Sequence, residues 1–235
     1  MWAGATSRIR LAPNALNLPL RQPVVIARSA ASLDLLSGGR VELALGAGAF
    51  WEAIEAVGGR RLSAGESVVA FEEAIAIIRE IWDTDTRGGV HYQAAGAKRG
   101  PAPAHDVGIW VGAYRPRILR LVGRVADGWV PSLSYLDGGL AGLAEAGRHV
   151  DEGVRAAGRD PAAIRRLLNI GDHHMPGGSQ AQAGSPAAWA EQLVQITLEH
   201  GVTGFILASD DPTSIQRFGE EVAPAVRELV DKART

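Results

Sequence analysis

The sequence predicts an α/β protein in which parallel strands alternate with helices, arranged as an incomplete TIM-type (β/α)8 barrel. Short apolar stretches alternate six times with stretches of helical periodicity, over short connections, which is typical of a parallel sheet. No GxGxxG pattern with a matching acidic residue follows the first strand, which argues against an open dinucleotide-binding sheet and favours a barrel. Six units are two fewer than a full barrel, and the chain starts on the end of a helix. We therefore expect the remaining units before Met1.

Length and composition limit the classes of protein to consider. The 235 residues fit one domain spanning residues 1–235, and 46% of them are hydrophobic, enough for a large core. A formal charge of −2 without any basic block gives no sign of binding to nucleic acid or membrane. The absence of cysteine excludes disulfides, thiolate catalysis and cysteine-bound metals. No signal peptide or long apolar run is present, so we expect a cytoplasmic protein.

Local patterns give the order of the elements. The predicted strands cover residues 8–12, 41–45, 109–111, 126–131, 166–170 and 202–207. Helices are predicted over 23–36 and 137–157, and further helices follow Ser63, Arg115, Ser185 and Asp211. Ser63 and Glu66 have the spacing of a capping box. The last helix is expected to bury a stripe formed by Ile215, Phe218, Val222, Val226 and Leu229.

The stretch GIWVGAYRPRILRLVGRVADGWVPS, residues 108–132, contains the strongest candidate site. A buried strand runs into Gly112 and Ala113, where the chain turns, and Pro116 suits the first position of the next helix. A helix N-terminus flanked by Arg115 and Arg117 at the end of a parallel strand suits a phosphate group. An ordinary strand–helix–strand connection with two solvated arginines explains the same residues.

Other polar and aromatic residues have plainer interpretations. His173 and His174 are adjacent, so their side chains point in different directions, and no HExxH pattern accompanies them. We interpret them as solvated loop histidines and predict no metal site. Glu52 and Glu55 fit the exposed face of a short helix, and Trp129 fits a core position.

Several segments together resemble the luciferase-like monooxygenase superfamily, in particular its coenzyme F420-dependent oxidoreductase branch. These segments are RIRLAPNALNLPLRQPVVIARSAASLDLLSGGRVELALGAGAFWEAIEAVGG, WVGAYRPRILRLVGRVADGWVPS, AGRDPAAIRR and VAPAVRE. The resemblance covers nearly the whole chain and implies a (β/α)8 barrel of which this chain has strands three to eight. The two βα units that the family has first are missing, and they include a histidine-containing segment near the redox carbon.

The resemblance also implies a cofactor site at the ends of two strands. The bond between Asn14 and Ala15 corresponds to a non-proline cis peptide that supports the back of the flavin-like ring, whereas without the resemblance a plain loop explains it. Gly46 and Gly48 would let the backbone approach the ring or its ribityl chain. Glycines also end strands for simple turn reasons.

The resemblance places the cofactor phosphate at residues 112–117. Gly112, Ala113, Tyr114, Arg115 and Arg117 would hold it through backbone N–H groups, a phenol hydroxyl and arginine. No residue of the sequence is a convincing general acid or base, so the catalytic residues are unknown, and we expect that group in the missing front of the barrel.

The implied activity is hydride transfer between C5 of the deazaflavin F420 and a small organic substrate. One alternative is an FMN-dependent monooxygenase of the same superfamily, which needs oxygen and a flavin reductase partner. Another is a non-catalytic cofactor-binding protein or the remnant of a truncated gene, since an open six-stranded arc has two free edges. The family commonly forms homodimers, and we expect the same here.

Overall fold

The computed structural model describes residues 2–84, 88–171 and 185–235. The strands are β1 Leu16–Asn17, β2 Leu43–Gly46, β3 Ile109–Gly112, β4 Gly128–Trp129, β5 Arg165–Gly171 and β6 Gly204–Ala208. The α-helices are α1 Trp2–Ala5, α2 Pro23–Ser37, α3 Trp51–Ala56, α4 Ala64–Asp83, α5 Pro116–Val125, α6 Leu140–Ala156, α7 Pro186–His200, α8 Pro212–Arg217 and α9 Ala223–Arg234. Within the described ranges, no helix is both long and apolar enough to cross a bilayer.

The six strands form one parallel sheet in sequential order, as the sequence predicts for a barrel-type α/β fold. One face carries a small cluster of Ala44, Trp110 and Val130, against which Leu167 and Ile206 pack. Trp110 has room because Gly128 on the next strand carries no side chain. The other face packs against the helices in a much larger apolar core.

Most helix boundaries follow their predicted signals. Ser63 and Glu66 form the capping box, with Ser63 N–H donating to Glu66 Oε2 over 2.9 Å and Glu66 N–H donating to Ser63 Oγ over 3.3 Å. The side chains of Ser185 and Asp211 cap α7 and α8, each of which begins with proline. Proline also opens α2 and α5.

The prediction of a strand over residues 8–12 is wrong for most of its length. A single bridge joins Leu11 to Val41, Ile9 is 57% exposed, and regular pairing begins only at Leu16. Pro13 lacks the N–H group that would continue the ladder, so the strand starts beyond it.

The predicted stripe on the last helix is also only partly buried. Val222 is fully buried, but Ile215 and Leu229 are 49% and 37% exposed. The chain forms a π-helical turn over Phe218–Val222 between α8 and α9. A π turn takes up an additional residue, so apolar positions before and after it no longer share one face.

Two glycines bring α5 and α6 into direct backbone contact. A Cβ atom on Gly123 would collide with the backbone of Val150 and Gly153, and one on Gly153 would collide with the carbonyl of Arg120. Because α5 follows β3 directly, this close packing fixes where the N-terminus of α5 lies relative to the sheet.

The buried carboxylate of Asp34 joins α2 to the segments that precede β2 and β3, near the amino ends of these strands. Asp34 has no exposed surface and accepts hydrogen bonds from the N–H groups of Val41 (3.0 Å), Ala104 (2.7 Å) and His105 (3.2 Å). His105 Nδ1 lies 3.0 Å from the same carboxylate. Burial raises the pKa of Asp34, but the hydrogen bonds from Val41, His105 and Ala104 outweigh burial, so the net pKa is lowered.

We expect Asp34→Asn to lower the free energy of unfolding by about 2–4 kcal/mol at pH 7, because an amide cannot accept all of these hydrogen bonds. A lowered folded-state pKa stabilises the protein above the unfolded pKa of about 4, and this stabilisation is lost as pH falls through the folded pKa. Urea titrations at neutral and acidic pH measure both effects, with exposed Asp231→Asn as the control. An equal difference at both pH values would contradict this assignment.

Candidate functional site

A cavity of about 1140 Å³ opens at the carboxyl ends of the strands. Its lining includes the predicted residues Asn14 and Ala15 before β1, Gly46 and Gly48 at the end of β2, and the run 112–115 at the end of β3. The carboxyl ends of parallel strands meet at one edge of a sheet. The structure thus brings residues from three distant parts of the chain around one space.

The connection from β3 to α5 is held by contacts with residues 129–135. Trp129 is buried, as predicted, and its Nε1–H donates to the carbonyl of Ala113 over 3.0 Å. The N–H of Ser132 donates to the hydroxyl of Tyr114 over 3.0 Å, so that hydroxyl keeps its own hydrogen to donate. The Tyr114 ring also meets Tyr135 edge-on, with centroids 5.9 Å apart. These contacts hold the turn in one conformation.

The N-terminus of α5 suits an anion. Pro116 opens the helix, and the preceding residue, Arg115, makes no side-chain cap. The first N–H groups of a helix have no intrahelical acceptor, and the helix dipole adds partial positive charge at this end. Because Pro116 and Arg115 also line the cavity, this end of the helix faces the space a ligand would occupy.

The Asn14–Ala15 peptide bond is cis, as the resemblance implied. Asn14 Nδ2 donates to Oδ1 of Asn169 over 2.6 Å, and Asn169 Nδ2 donates to the carbonyl of Pro131 over 3.3 Å. Asn169 is 7% exposed and lines the same cavity. It connects the ends of β4 and β5 with the segment before β1. Sequence reasoning missed Asn169, although a lone polar residue near the carboxyl end of an apolar strand is a usable signal.

This hydrogen bond also requires the sheet to curve. Four strand intervals separate β1 from β5, which in a flat sheet is roughly 19 Å at about 4.8 Å per interval. Two asparagine side chains cannot bridge that span, yet Asn14 and Asn169 are in direct contact. The strands therefore follow a barrel-like arc with the cavity on its inner side.

The glycines around the cavity differ in what requires them. Gly48 has φ +124°, and a Cβ there would lie 2.7 Å from the ring of Trp51, so the fold itself requires glycine. A Cβ on Gly46 or Gly112 would meet nothing closer than 3.8 and 3.7 Å, respectively. Gly46 and Gly112 follow the inward-facing Ala44 and Trp110 by two residues, so side chains there would project into the cavity.

Of the predicted cofactor-binding residues, only Arg117 lies outside the cavity lining. Its Nη1 atom lies 3.2 Å from the position a Cβ of Gly65 would take, at the start of α4. Arg115 stays at the rim, with its side chain 83% exposed and Nη1 3.9 Å from Asp137 Oδ2. The two arginines therefore point to different sides of the same helix end.

Glu52 and Glu55 are not part of the cavity lining. They are exposed and pair with Arg61, as expected of a surface face. His173 and His174 lie outside the described residues. Among the residues that are described, no group of three or more histidine or acidic side chains could hold a metal ion.

We expect the Asn14–Asn169 pair to contribute measurable coupling to stability. Asn14→Ala and Asn169→Ala each remove one partner, and Asn169→Ala also leaves the buried carbonyl of Pro131 without this donor. Each single change should cost about 1–3 kcal/mol, and a double-mutant cycle should give a coupling free energy of about 1 kcal/mol. Additive losses would show that the two side chains do not interact in solution.

Comparison with known proteins gives several relatives. A phthiodiolone/phenolphthiodiolone dimycocerosates ketoreductase from Mycobacterium kansasii is 35% identical over 167 residues, covering 68% of this chain and 44% of that protein. The chain thus spans less than half the length of that ketoreductase. An F420-dependent glucose-6-phosphate dehydrogenase from Microbacterium testaceum is 27% identical over 97% of this chain and 75% of its own length.

Solved structures show the same fold. An F420-dependent secondary alcohol dehydrogenase, in complex with an F420-acetone adduct, superposes with a TM-score of 0.75 at 21% identity, over 96% of this chain and 82% of that one. The model of the luciferase-like monooxygenase family matches residues 1–222. The described sheet, the cavity at its carboxyl edge and this match over nearly the whole chain agree, and the chain belongs to the luciferase-like monooxygenase family.

Proposed function

We propose that this chain binds coenzyme F420 and positions it for hydride transfer to or from a small organic substrate. The observation that carries the proposal is the uncapped N-terminus of α5, which faces the cavity together with Arg115. Relatives and structural neighbours whose names state F420 dependence support this choice of cofactor.

The residues present fit such a cofactor. Gly46 and Gly112 leave open the space that side chains would fill, which suits a planar ring and its ribityl chain. The first N–H groups of α5, the Tyr114 hydroxyl and the Arg115 guanidinium would hold the phosphate. Asn14 and Ala15 would support the ring. The bound deazaflavin supplies a carbon, C5, that accepts or donates a hydride.

The chain's own part in such a reaction is to bind and to orient. Arg115 supplies charge at the phosphate end, while Asn169 fixes Asn14 at the opposite side of the cavity. Contacts from buried Trp129 and from Ser132 keep the β3–α5 turn rigid. A site held in this way loses little entropy when the cofactor binds.

An FMN-dependent monooxygenase is the second candidate, because the same phosphate end would hold the FMN phosphate. It would need oxygen and a separate flavin reductase. A non-catalytic cofactor-binding protein is the third, and it would bind the cofactor without turnover. The homodimer implied by the resemblance belongs to the same proposal, and sedimentation measures it directly.

A fluorescence titration of the purified chain with F420, and separately with FMN, tests the proposal. We expect saturable F420 binding that weakens roughly tenfold in Arg115→Ala, since one charge-assisted contact is lost. Arg124→Ala is the matched control, because Arg124 lies at the other end of α5 and pairs with Glu72. A preference for FMN would favour the monooxygenase. Binding of neither cofactor by a cooperatively folded chain would refute the proposal.

Gly112→Ala tests whether the cavity space itself binds the cofactor. The nearest protein atom to the new Cβ is 3.7 Å away, an ordinary contact, so stability should stay equal or rise by up to about 1 kcal/mol. Cofactor affinity should fall at least about tenfold, because the methyl group occupies ligand space. Thermal unfolding and the same titration measure the two effects. Unchanged affinity would place the cofactor away from β3.

A further inference from the structure

The cavity wall away from the start of α5 carries uncharged side chains. Of the described lining residues, those with acidic, basic or histidine side chains all lie between Arg115 and His149, at the phosphate end. The described lining before β1, after β2 and at the ends of β4, β5 and β6 has amide, hydroxyl and apolar groups. A carboxylate or phosphate placed there would lose water and gain no cation from these residues.

We propose that this part of the cavity binds an uncharged alcohol or carbonyl compound, with Ser132 at its oxygen and Phe50 against its apolar part. The inference rests on the proposed function and names the substrate class of the same site.

Neutral polar groups follow the cavity wall from β3 to the segment before β1. The hydroxyl of Tyr114 accepts a hydrogen bond from the N–H of Ser132 over 3.0 Å. Ser132 in turn forms a parallel bridge with Asn169, whose side chain accepts from Asn14 over 2.6 Å. All four residues line the cavity. Such groups can bind hydroxyl and carbonyl oxygens but offer no charge to an anion.

The hydroxyl of Ser132 is available to a substrate. Ser132 is only partly buried, and its contacts with Tyr114 and Asn169 use its backbone. A hydroxyl can donate to a carbonyl oxygen and can accept from an alcohol. In alcohol oxidation the carbon sends a hydride with its electron pair to C5, the hydroxyl hydrogen leaves as a proton to water, and a carbonyl remains. Ser132 therefore suits the substrate oxygen both before and after hydride transfer.

Phe50 presents an apolar ring at the cavity. Its side chain lines the cavity directly before α3 and is 77% exposed. Its φ of +57° is left-handed, which is an outlier for a bulky side chain, and the exposed ring gains no core packing in return. Strained residues of this kind cluster at ligand sites. An apolar part of a substrate would cover this ring and remove its surface from water.

The spacing of the strands limits the size of such a substrate. Ser132 follows β4 and Phe50 follows β2, and these two strands are neighbours of β3 on either side. Two strand intervals amount to about 10 Å. That span fits a ketone whose carbonyl and phenyl ring lie a few bonds apart, such as benzylacetone.

The test measures binding of three probes to the chain loaded with oxidised F420. The probes are benzylacetone, its para-carboxylate and butylbenzene, which lacks the oxygen. A ketone and an oxidised cofactor cannot exchange a hydride, so the fluorescence of F420 reports equilibrium binding. The variants are Ser132→Ala, Phe50→Gly and Phe50→Lys. Val57→Ala is the matched control, because Val57 is an apolar residue, 72% exposed, outside the cavity lining.

Each variant should still fold and bind F420, which thermal melts and the cofactor titration verify. Ser132→Ala keeps the backbone N–H that Tyr114 accepts, and glycine adopts the φ of Phe50 without strain. The probe affinities therefore report the contacts of the removed side chains.

We expect benzylacetone to bind at least tenfold more tightly than its carboxylate. Ser132→Ala should weaken benzylacetone about three- to tenfold and leave butylbenzene unchanged. Phe50→Gly should weaken both about fivefold, Phe50→Lys should favour the carboxylate, and Val57→Ala should change nothing.

Two kinds of failure are distinguishable. If F420 binds but benzylacetone does not, or if the carboxylate binds as tightly, the substrate assignment is overturned and the proposed function stands. Equal losses of benzylacetone and butylbenzene in Ser132→Ala would likewise remove Ser132 from the substrate oxygen. Failure of F420 to bind a folded chain would overturn both proposals.

Discussion

The hydrogen bond between Asn14 and Asn169 is the constraint on which the site depends. It joins side chains 155 residues apart along the sequence and four strands apart in the sheet. Such a contact exists only if the sheet bends into an arc, and bending turns the carboxyl ends of all its strands toward one space. The cavity follows from that curvature, because the loops after β2 and β3 then face the segment before β1.

The parts of the site that depend on local chemistry were predictable from the sequence. Gly112 ends a buried strand and Pro116 begins a helix. The backbone preferences of these two residues act within a few positions along the chain. The order of strands and helices, and most helix caps, followed from similar short-range signals. The cis bond after Asn14 could be anticipated only through the resemblance, since nothing in the residues nearby requires it.

Features that depend on distant contacts were not predictable. The role of Asn169 comes from partners on other strands, Asn14 and the carbonyl of Pro131. The different directions of Arg115 and Arg117 depend on what packs beside α5, including the open position at Gly65. The π turn at Phe218–Val222 likewise disturbs a helical periodicity that the sequence presents as regular. For Asn169 and for Arg117 the deciding neighbour is far away in the sequence.

The glycines show most clearly that the sequence alone does not reveal distant contacts. In the sequence, Gly46 and Gly48 are equivalent members of one short loop. In the structure, Gly48 is required by its own φ angle and by the ring of Trp51, whereas no protein atom crowds the Cβ positions of Gly46 and Gly112. Glycine in a strand costs stability relative to a side chain that packs. A glycine that the fold does not require, and that faces the cavity, leaves open space there, and the proposed cofactor would fill it.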